Sequence, residues 1–217
     1  METKTVGMTR KDFLAMLCGT GAVMLGGCAQ GGETTETAST SAAGESAATA
    51  TQAKGTVLVA YYSATGNTKR VAQAAATALG ADLFEIAPVS PYSDDDLDYN
   101  DDSSRVSREY ADESKRGVEL TQVTPDGFAG YDTVLLGYPI WWGIAAWPTN
   151  GFVAGNDFAG KTVIPFCTSI SSPVGESATG LESLASGDAG TWADGQRFDS
   201  EASDDEVRTW VSSLAIG

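Results

Sequence analysis

The sequence predicts one α/β domain in which helices cover both faces of a parallel sheet, and three features carry that expectation. Three short runs, Thr56–Tyr62 (TVLVAYY), Asp132–Tyr138 (DTVLLGY) and Thr162–Cys167 (TVIPFC), are continuously apolar and rich in β-branched or aromatic residues. That is the pattern of strands buried on both faces. Segments of helical spacing alternate with them, as right-handed βαβ units require. The turns after the first and last of these runs are rich in Ser, Thr and Gly, at the strand ends where open α/β sheets bind ligands. Composition agrees: 217 residues at 42% hydrophobic and 19% charged are enough to bury a core. The formal charge of −16 disfavours nucleic acid, whose phosphates need Lys and Arg, and suits either solubility or the steering of a basic partner protein. With no histidine, Ser-His-Asp and Cys-His catalysis and imidazole-ligated metals are excluded.

From the amino end, Arg10 and Lys11 precede an apolar stretch, Phe13 to Leu25, that runs into Leu25-Gly26-Gly27-Cys28. A basic region, a short apolar region and small residues at a cut site mark residues 1–27 as a secretory signal. The stretch is short and glycine-rich for a membrane span, although a transmembrane anchor is the alternative. The Leu-Gly-Gly-Cys ending resembles the lipobox of bacterial lipoproteins. That resemblance implies cleavage before Cys28, lipid on Cys28 and anchoring at the outer face of a bacterial cytoplasmic membrane. Thr9–Leu14 (TRKDFL) resembles the twin-arginine export motif with Lys11 in place of the second arginine, so two export routes stay open. Residues 28–54, almost entirely Ala, Thr, Ser, Gly and Glu, have nothing large to bury and read as a disordered tether. Because Cys18 and Cys28 fall in the export segment, no disulfide framework is expected.

Residues 55–217 form the folded domain. After the first strand and the turn Ser63–Asn67, Val71, Ala75, Ala78 and Leu79 recur at helical spacing, with Gly80 as the stop. Asp82–Ala87 (DLFEIA) is the second strand. The acidic stretch Pro88–Asp126 holds one exposed helix, around Ser104–Lys115. Asp132–Tyr138 and Thr162–Cys167 are the third and fourth strands. Pro165 is placed near the carboxyl end of the fourth, because a proline inside a central strand removes a ladder donor. Thr191–Phe198 is the fifth strand. Ser203 and Glu206 have capping-box spacing before a last helix whose stripe is Val207, Trp210, Val211 and Leu214.

The turns after strands one, three and four should converge. Ser63-Ala64-Thr65-Gly66-Asn67-Thr68 offers hydroxyls, an amide and a permissive glycine at a helix N-terminus, where backbone N–H groups and the helix dipole suit a phosphate. It is neither a Walker A loop nor GxGxxG, and by composition alone a plain helix cap is the competing reading. After strand three, Tyr138-Pro139-Ile140-Trp141-Trp142-Gly143 sets two adjacent tryptophans between a proline and a glycine. Neighbouring side chains point in different directions, so both cannot easily enter one packed layer. Either Trp141 or Trp142 is expected to lie on a flat ligand ring, a contact of about 0.5–1.5 kcal/mol beyond area burial; covering apolar surface is the alternative. Trp147, Trp192 and Trp210 read as packing residues. The third turn, Thr168–Ser177 (TSISSPVGES), brings hydroxyls and amides able to bond a polar ring edge. Cys167 before it reads as a buried, inert thiol.

Tyr62–Thr68 resembles the S-x-T-G-N-T phosphate loop of the flavodoxin family. The Pro139–Gly143 segment is similar to the one that packs against the isoalloxazine ring in short bacterial members, and Thr168–Ser177 to a loop beside the ring's polar edge, with Ile170 where glycine is common. The resemblance runs from Gly55 to the C-terminus. It implies a flavodoxin-like three-layer sandwich with a five-stranded parallel sheet of order 2-1-3-4-5. It also implies flavin mononucleotide (FMN) as cofactor, its phosphate held by the loop Ser63, Ala64, Thr65, Gly66, Asn67 and Thr68. The ring would lie against Pro139, Ile140, Trp141, Trp142 and Gly143, with Thr168, Ser169, Ser172 and Gly175 at its edge. Lys69 and Arg70 read as surface charge.

With FMN bound, the chemistry belongs to the flavin and the protein tunes it. An acidic shell opposes added negative charge on the ring and lowers its potential. The function expected is electron transfer with another redox protein, from a membrane tether. An NAD(P)H-dependent flavin or quinone oxidoreductase is the alternative, although no nicotinamide motif is visible. A non-redox surface module that has lost its flavin is the third.

Overall fold

The computed structural model describes residues 57–216. The signal segment 1–27, the tether 28–54 and Cys28 lie outside the described residues. The elements run β1 (Val57–Tyr61), α1 (Asn67–Leu79), β2 (Asp82–Glu85), α2 (Arg105–Ala111), β3 (Thr133–Trp141), β4 (Ile144–Ala145) and α3 (Pro148–Ala154). There follow β5 (Thr162–Thr168), α4 (Ser177–Glu182), β6 (Thr191–Trp192), β7 (Gln196–Phe198) and α5 (Asp204–Ser212). Single 3-10 turns lie at Glu113–Lys115 and Phe128–Gly130.

The central path is β2-β1-β3-β5-β6, all parallel, with β7 continuing beside β5. β6 and β7 together occupy the predicted fifth strand, so the expected order 2-1-3-4-5 is observed with that strand interrupted. The register explains the break. Thr162 and Val163 pair with Thr191 and Trp192, but Phe166 pairs with Gln196, one residue further along. The Thr191 and Ala193 amides donate to the Lys161 and Val163 carbonyls, at 2.9 Å each, so odd-numbered residues of β5 face the edge strand. Pro165 therefore turns its donorless nitrogen to the bulge at 193–195. It stands in the middle of β5, opposite Leu136, and not near the carboxyl end as expected. What makes it tolerable is the interruption of its neighbour.

Alternation along the strands sends side chains to two cores. Leu58, Ala60, Val134, Leu136, Tyr138 and Val163 pack with Phe152, Val153 and Leu181, from α3 and α4. Val57, Val59, Leu135, Ile164 and Phe166 pack with Val71, Ala72, Ala75, Val207 and Val211, from α1 and α5. These are the three layers. On α1 the buried face is Thr68, Val71, Ala72, Ala75 and Ala76, with Leu79 at its margin; Ala78, expected on this stripe, is exposed. At the start of α5 the Ser203 hydroxyl accepts from the Glu206 amide at 3.2 Å, as the capping spacing requires. Gly137 is sterically obligatory in β3: a Cβ there would stand 2.2 Å from the Phe166 ring across the strand pair.

Beyond the sheet, β3 continues into a hairpin. Ile140 and Trp141 pair antiparallel with Ala145 and Ile144. The segment Tyr138–Gly143, expected as a loop, is thus strand as far as Trp141 and a two-residue turn at Trp142-Gly143. Both turn residues have positive φ, 48° and 80°, as a hairpin of right-handed twist demands. Trp142 is the one non-glycine with positive φ among the described residues. A bulky residue there is under strain of order 1–3 kcal/mol, which its surroundings must offset.

Candidate functional site

The parallel register brings the carboxyl ends of β1, β3 and β5 side by side. Tyr61 pairs with Gly137, and Pro139 pairs with Thr168. The Tyr62 amide continues this by donating to the Gly137 carbonyl at 2.9 Å. All three predicted segments therefore meet at one edge of the sheet.

In the first segment Ser63 Oγ accepts from the Gly66 amide at 3.1 Å, folding the loop into a turn, and Asn67 Nδ2 donates to Thr65 Oγ1 at 3.3 Å. Gly66 caps α1 at φ 90° and makes no side-chain capping bond. A Cβ there would meet no atom within 4 Å, so glycine is required by backbone conformation and not by crowding within the protein. The first amides of α1 have no intrahelical acceptor, and the positive end of the helix dipole lies among them. Thr65 and Gly66 are exposed and Ala64 is half-buried against the core. Thr68 differs from its neighbours. It is buried, and its Oγ1 lies 2.8 Å from Thr168 Oγ1, tying the first segment to the third. Both nearby cations are engaged elsewhere: Lys69 Nζ pairs with Glu85 at 3.1 Å, and Arg70 donates to the Ser200 carbonyl at 2.8 Å and to that of Ala202. An anion at this loop would be met by main chain and hydroxyls.

In the second segment, Pro139 and Ile140 are half-buried strand residues and the two indoles part company. Trp141 is half-buried and meets Tyr62, Tyr92 and Trp147 at ring separations of 5.7, 5.2 and 4.7 Å, all at steep angles. Trp142, at the exposed turn with Gly143, lies flat against Tyr110, 4.6 Å apart and 11° from parallel. Trp147 is fully buried, whereas Trp192 and Trp210 are half-buried against Phe158 and against Phe166 and Phe198. The Tyr62 hydroxyl is buried without a hydrogen-bond partner among the described residues, and burial holds its pKa far above the usual phenol value. A cavity of about 120 Å³ opens beside it, between Ser63 and Ala64 on one side and Pro88, Pro91 and Tyr92 on the other.

In the third segment Thr168 is buried at the end of β5, and the loop beyond it is clamped by Arg197. That guanidinium donates to Ser169 Oγ at 3.0 Å, to the Ser169 carbonyl at 2.9 Å and to the Ile170 carbonyl at 2.7 Å. Ser169 Oγ in turn donates to the Ser172 carbonyl, so the hydroxyl is consumed in holding the loop. Ile170 stands 83% exposed on ordinary negative φ; the path does not need the glycine the resemblance suggested. Gly175 takes φ 51° just before α4. Cys167 is fully buried, which pushes its thiol up to about 11 and leaves it protonated and unreactive at neutral pH.

Sequence reasoning missed four participants. Arg197 carried one faint signal, as a rare cation in an acidic domain. Tyr92, Glu109 and Tyr110 come from the acidic stretch 88–126, where the pattern showed only an exposed helix. Ser104 caps α2, accepting from the Ser107 amide, and the helix is not wholly exposed as expected, since Val106 and Glu109 are buried. Among the described residues no cluster of His, Cys, Asp or Glu could hold a metal ion, and no helix is long and apolar enough to cross a membrane.

Comparison with known proteins yields a family model described as Flavodoxin, which matches residues 56–214. Among solved structures, a candidate flavoprotein from Bacteroides uniformis is 40% identical, with a TM-score of 0.66 over 73% of this chain and 99% of its own. One from Bacteroides eggerthii is 38% identical, with a TM-score of 0.65 over 74% and 98%. A flavoprotein from Lactobacillus acidophilus, solved in complex with FMN, is 23% identical and shares the fold at a TM-score of 0.51 over 73% and 99%. No curated protein matches the chain.

Proposed function

The chain belongs to the flavodoxin family, and on that premise we propose that it holds one FMN across the carboxyl ends of β1, β3 and β5. We propose further that it exchanges electrons with a basic redox protein while lipid-anchored through Cys28 at the outer face of a bacterial membrane. The observation that carries the cofactor reading is the convergence itself. The Thr68–Thr168 hydrogen bond at 2.8 Å and the Tyr62–Trp141 ring contact at 5.7 Å draw the hydroxyl loop, the indole hairpin and the clamped third loop to one edge.

The residues present suit the group. Ser63, Thr65, Asn67 and the open amides of α1 form a donor set for a dianion, with Lys69 and Arg70 turned away. Trp141 and Trp142 supply flat apolar surface for a ring. The Tyr62 hydroxyl, without a partner among the described residues, is a buried donor that a bound polar group would satisfy. Known binding of FMN by a protein of the same fold supports the choice of flavin. Bound there, FMN supplies the electron chemistry. The chain would hold the phosphate on main-chain dipoles and shield the ring with indoles, within a protein whose overall charge is −16.

Freshly isolated native protein should be yellow, or become so on incubation with FMN. A protein that stays colourless through both would overturn the reading. Thr65→Ala is expected to weaken FMN binding by about 1–2 kcal/mol, followed by quenching of flavin fluorescence. Unchanged affinity would remove Thr65 from the cradle. Bleaching of the flavin by NADPH alone would replace the carrier with the reductase. For the anchor, the full chain should fractionate with membranes and its Cys28→Ser variant should not; equal retention of both would point to a transmembrane segment.

A further inference from the structure

We propose that Glu109 is the positioning residue of this aromatic site, aligning through Trp147 and Tyr92 the indole of Trp141 that grips the flavin ring. The inference rests on the FMN reading above and adds to it a residue far from the three loops in sequence.

Glu109 lies on α2 in the acidic stretch and is buried, at 7% exposure. A carboxylate taken out of water survives only if its oxygens are met by donors. Here one oxygen accepts from Trp147 Nε1 at 2.7 Å and from the Tyr92 hydroxyl at 2.5 Å, and the other from Arg105 Nε at 2.7 Å. The same arginine lies over the Tyr92 ring, 3.8 Å from its centre. Trp147 and Tyr92 are two of the three rings whose edges bracket Trp141. A contact that only covered surface could be made by Leu or Met. A carboxylate in its place adds direction, since the indole N–H and the phenol O–H must both point at one oxygen.

Arg116 extends the restraint. It donates to the Glu109 carbonyl at 3.0 Å and to the Tyr110 carbonyl at 2.6 Å, and its guanidinium lies 5.5 Å from the ring centres of both Tyr110 and Trp147. Tyr110, so held, is the ring stacked on Trp142. Both indoles of the hairpin are thus steadied from α2, and their shared neighbour Trp147 donates to Glu109 at 2.7 Å and, more weakly, to the Tyr92 hydroxyl at 3.1 Å.

The test is FMN titration of the full-length protein and its variants, with unfolding curves on the same samples. Wild type must bind FMN first; failure at that step sinks the cofactor reading, not this one. Glu109→Ala should then raise Kd about tenfold and leave the bound flavin more fluorescent, because the indole quencher has shifted. Glu109→Gln keeps an acceptor for Trp147 and Tyr92 and should stay within about threefold of wild type. The pair Glu109→Ala with Trp141→Ala should bind no worse than Trp141→Ala alone, as two residues acting through one contact do. If Glu109→Ala does not fold, Trp147→Phe, which removes the N–H and keeps a ring, should show the same rise in Kd. Wild-type affinity and fluorescence in Glu109→Ala or Trp147→Phe, or additive losses in the double variant, would overturn the proposal.

Discussion

Trp147→Ala is expected to lower folding stability by about 3–5 kcal/mol, the largest single loss among the residues around the site. Trp147 is fully buried between α2 and the hairpin, and contacts Trp141 and Trp142 at 4.7 and 6.1 Å. Deleting the indole leaves a cavity beneath both, and it takes one of three donors from the buried Glu109 carboxylate. The two costs fall together because one indole both fills the space against Trp141 and Trp142 and donates to Glu109. Urea denaturation followed by far-ultraviolet circular dichroism measures it. A loss below about 1 kcal/mol would mean that the hairpin does not depend on Trp147 for support.

Trp141→Ala is expected to weaken FMN binding by about 1–3 kcal/mol, and Trp142→Ala by less than about 1 kcal/mol. The two indoles differ in what already covers them. Trp141 faces Tyr62, the residue that leads into the hydroxyl loop, and meets its neighbours at steep angles without a parallel partner. Trp142 already lies nearly parallel to Tyr110 at 4.6 Å, so a second ring must compete for its surface. Titration of both variants with FMN decides the order. A greater loss in Trp142→Ala would move the flavin to the outer side of the hairpin.

Much of this was legible because it is local. The runs TVLVAYY, DTVLLGY and TVIPFC have one reasonable fate, since a strand apolar on both faces must be covered on both faces. Ser203 with Glu206 marked the start of α5, and the Ser63–Thr68 turn marked the open helix end, because caps and turns are settled by residues a few positions apart. Pro165 was misplaced within its strand for the opposite reason. Its tolerance depends on a bulge thirty residues away, visible only once β5 and β7 are paired in space.

The chain alone determined a parallel sheet layered between helices, three polar or aromatic turns at its carboxyl edge, and an acidic surface, since each follows from composition and short-range pattern. Tertiary structure decided the rest. Folding placed Glu109, Tyr92 and Tyr110 behind the indoles, turned Arg197 onto the third loop, drew Thr68 into the interior and made a strained turn of Trp142. A polar side chain in an acidic stretch reads as solvated until another element covers it, and which element does so is a property of the folded chain.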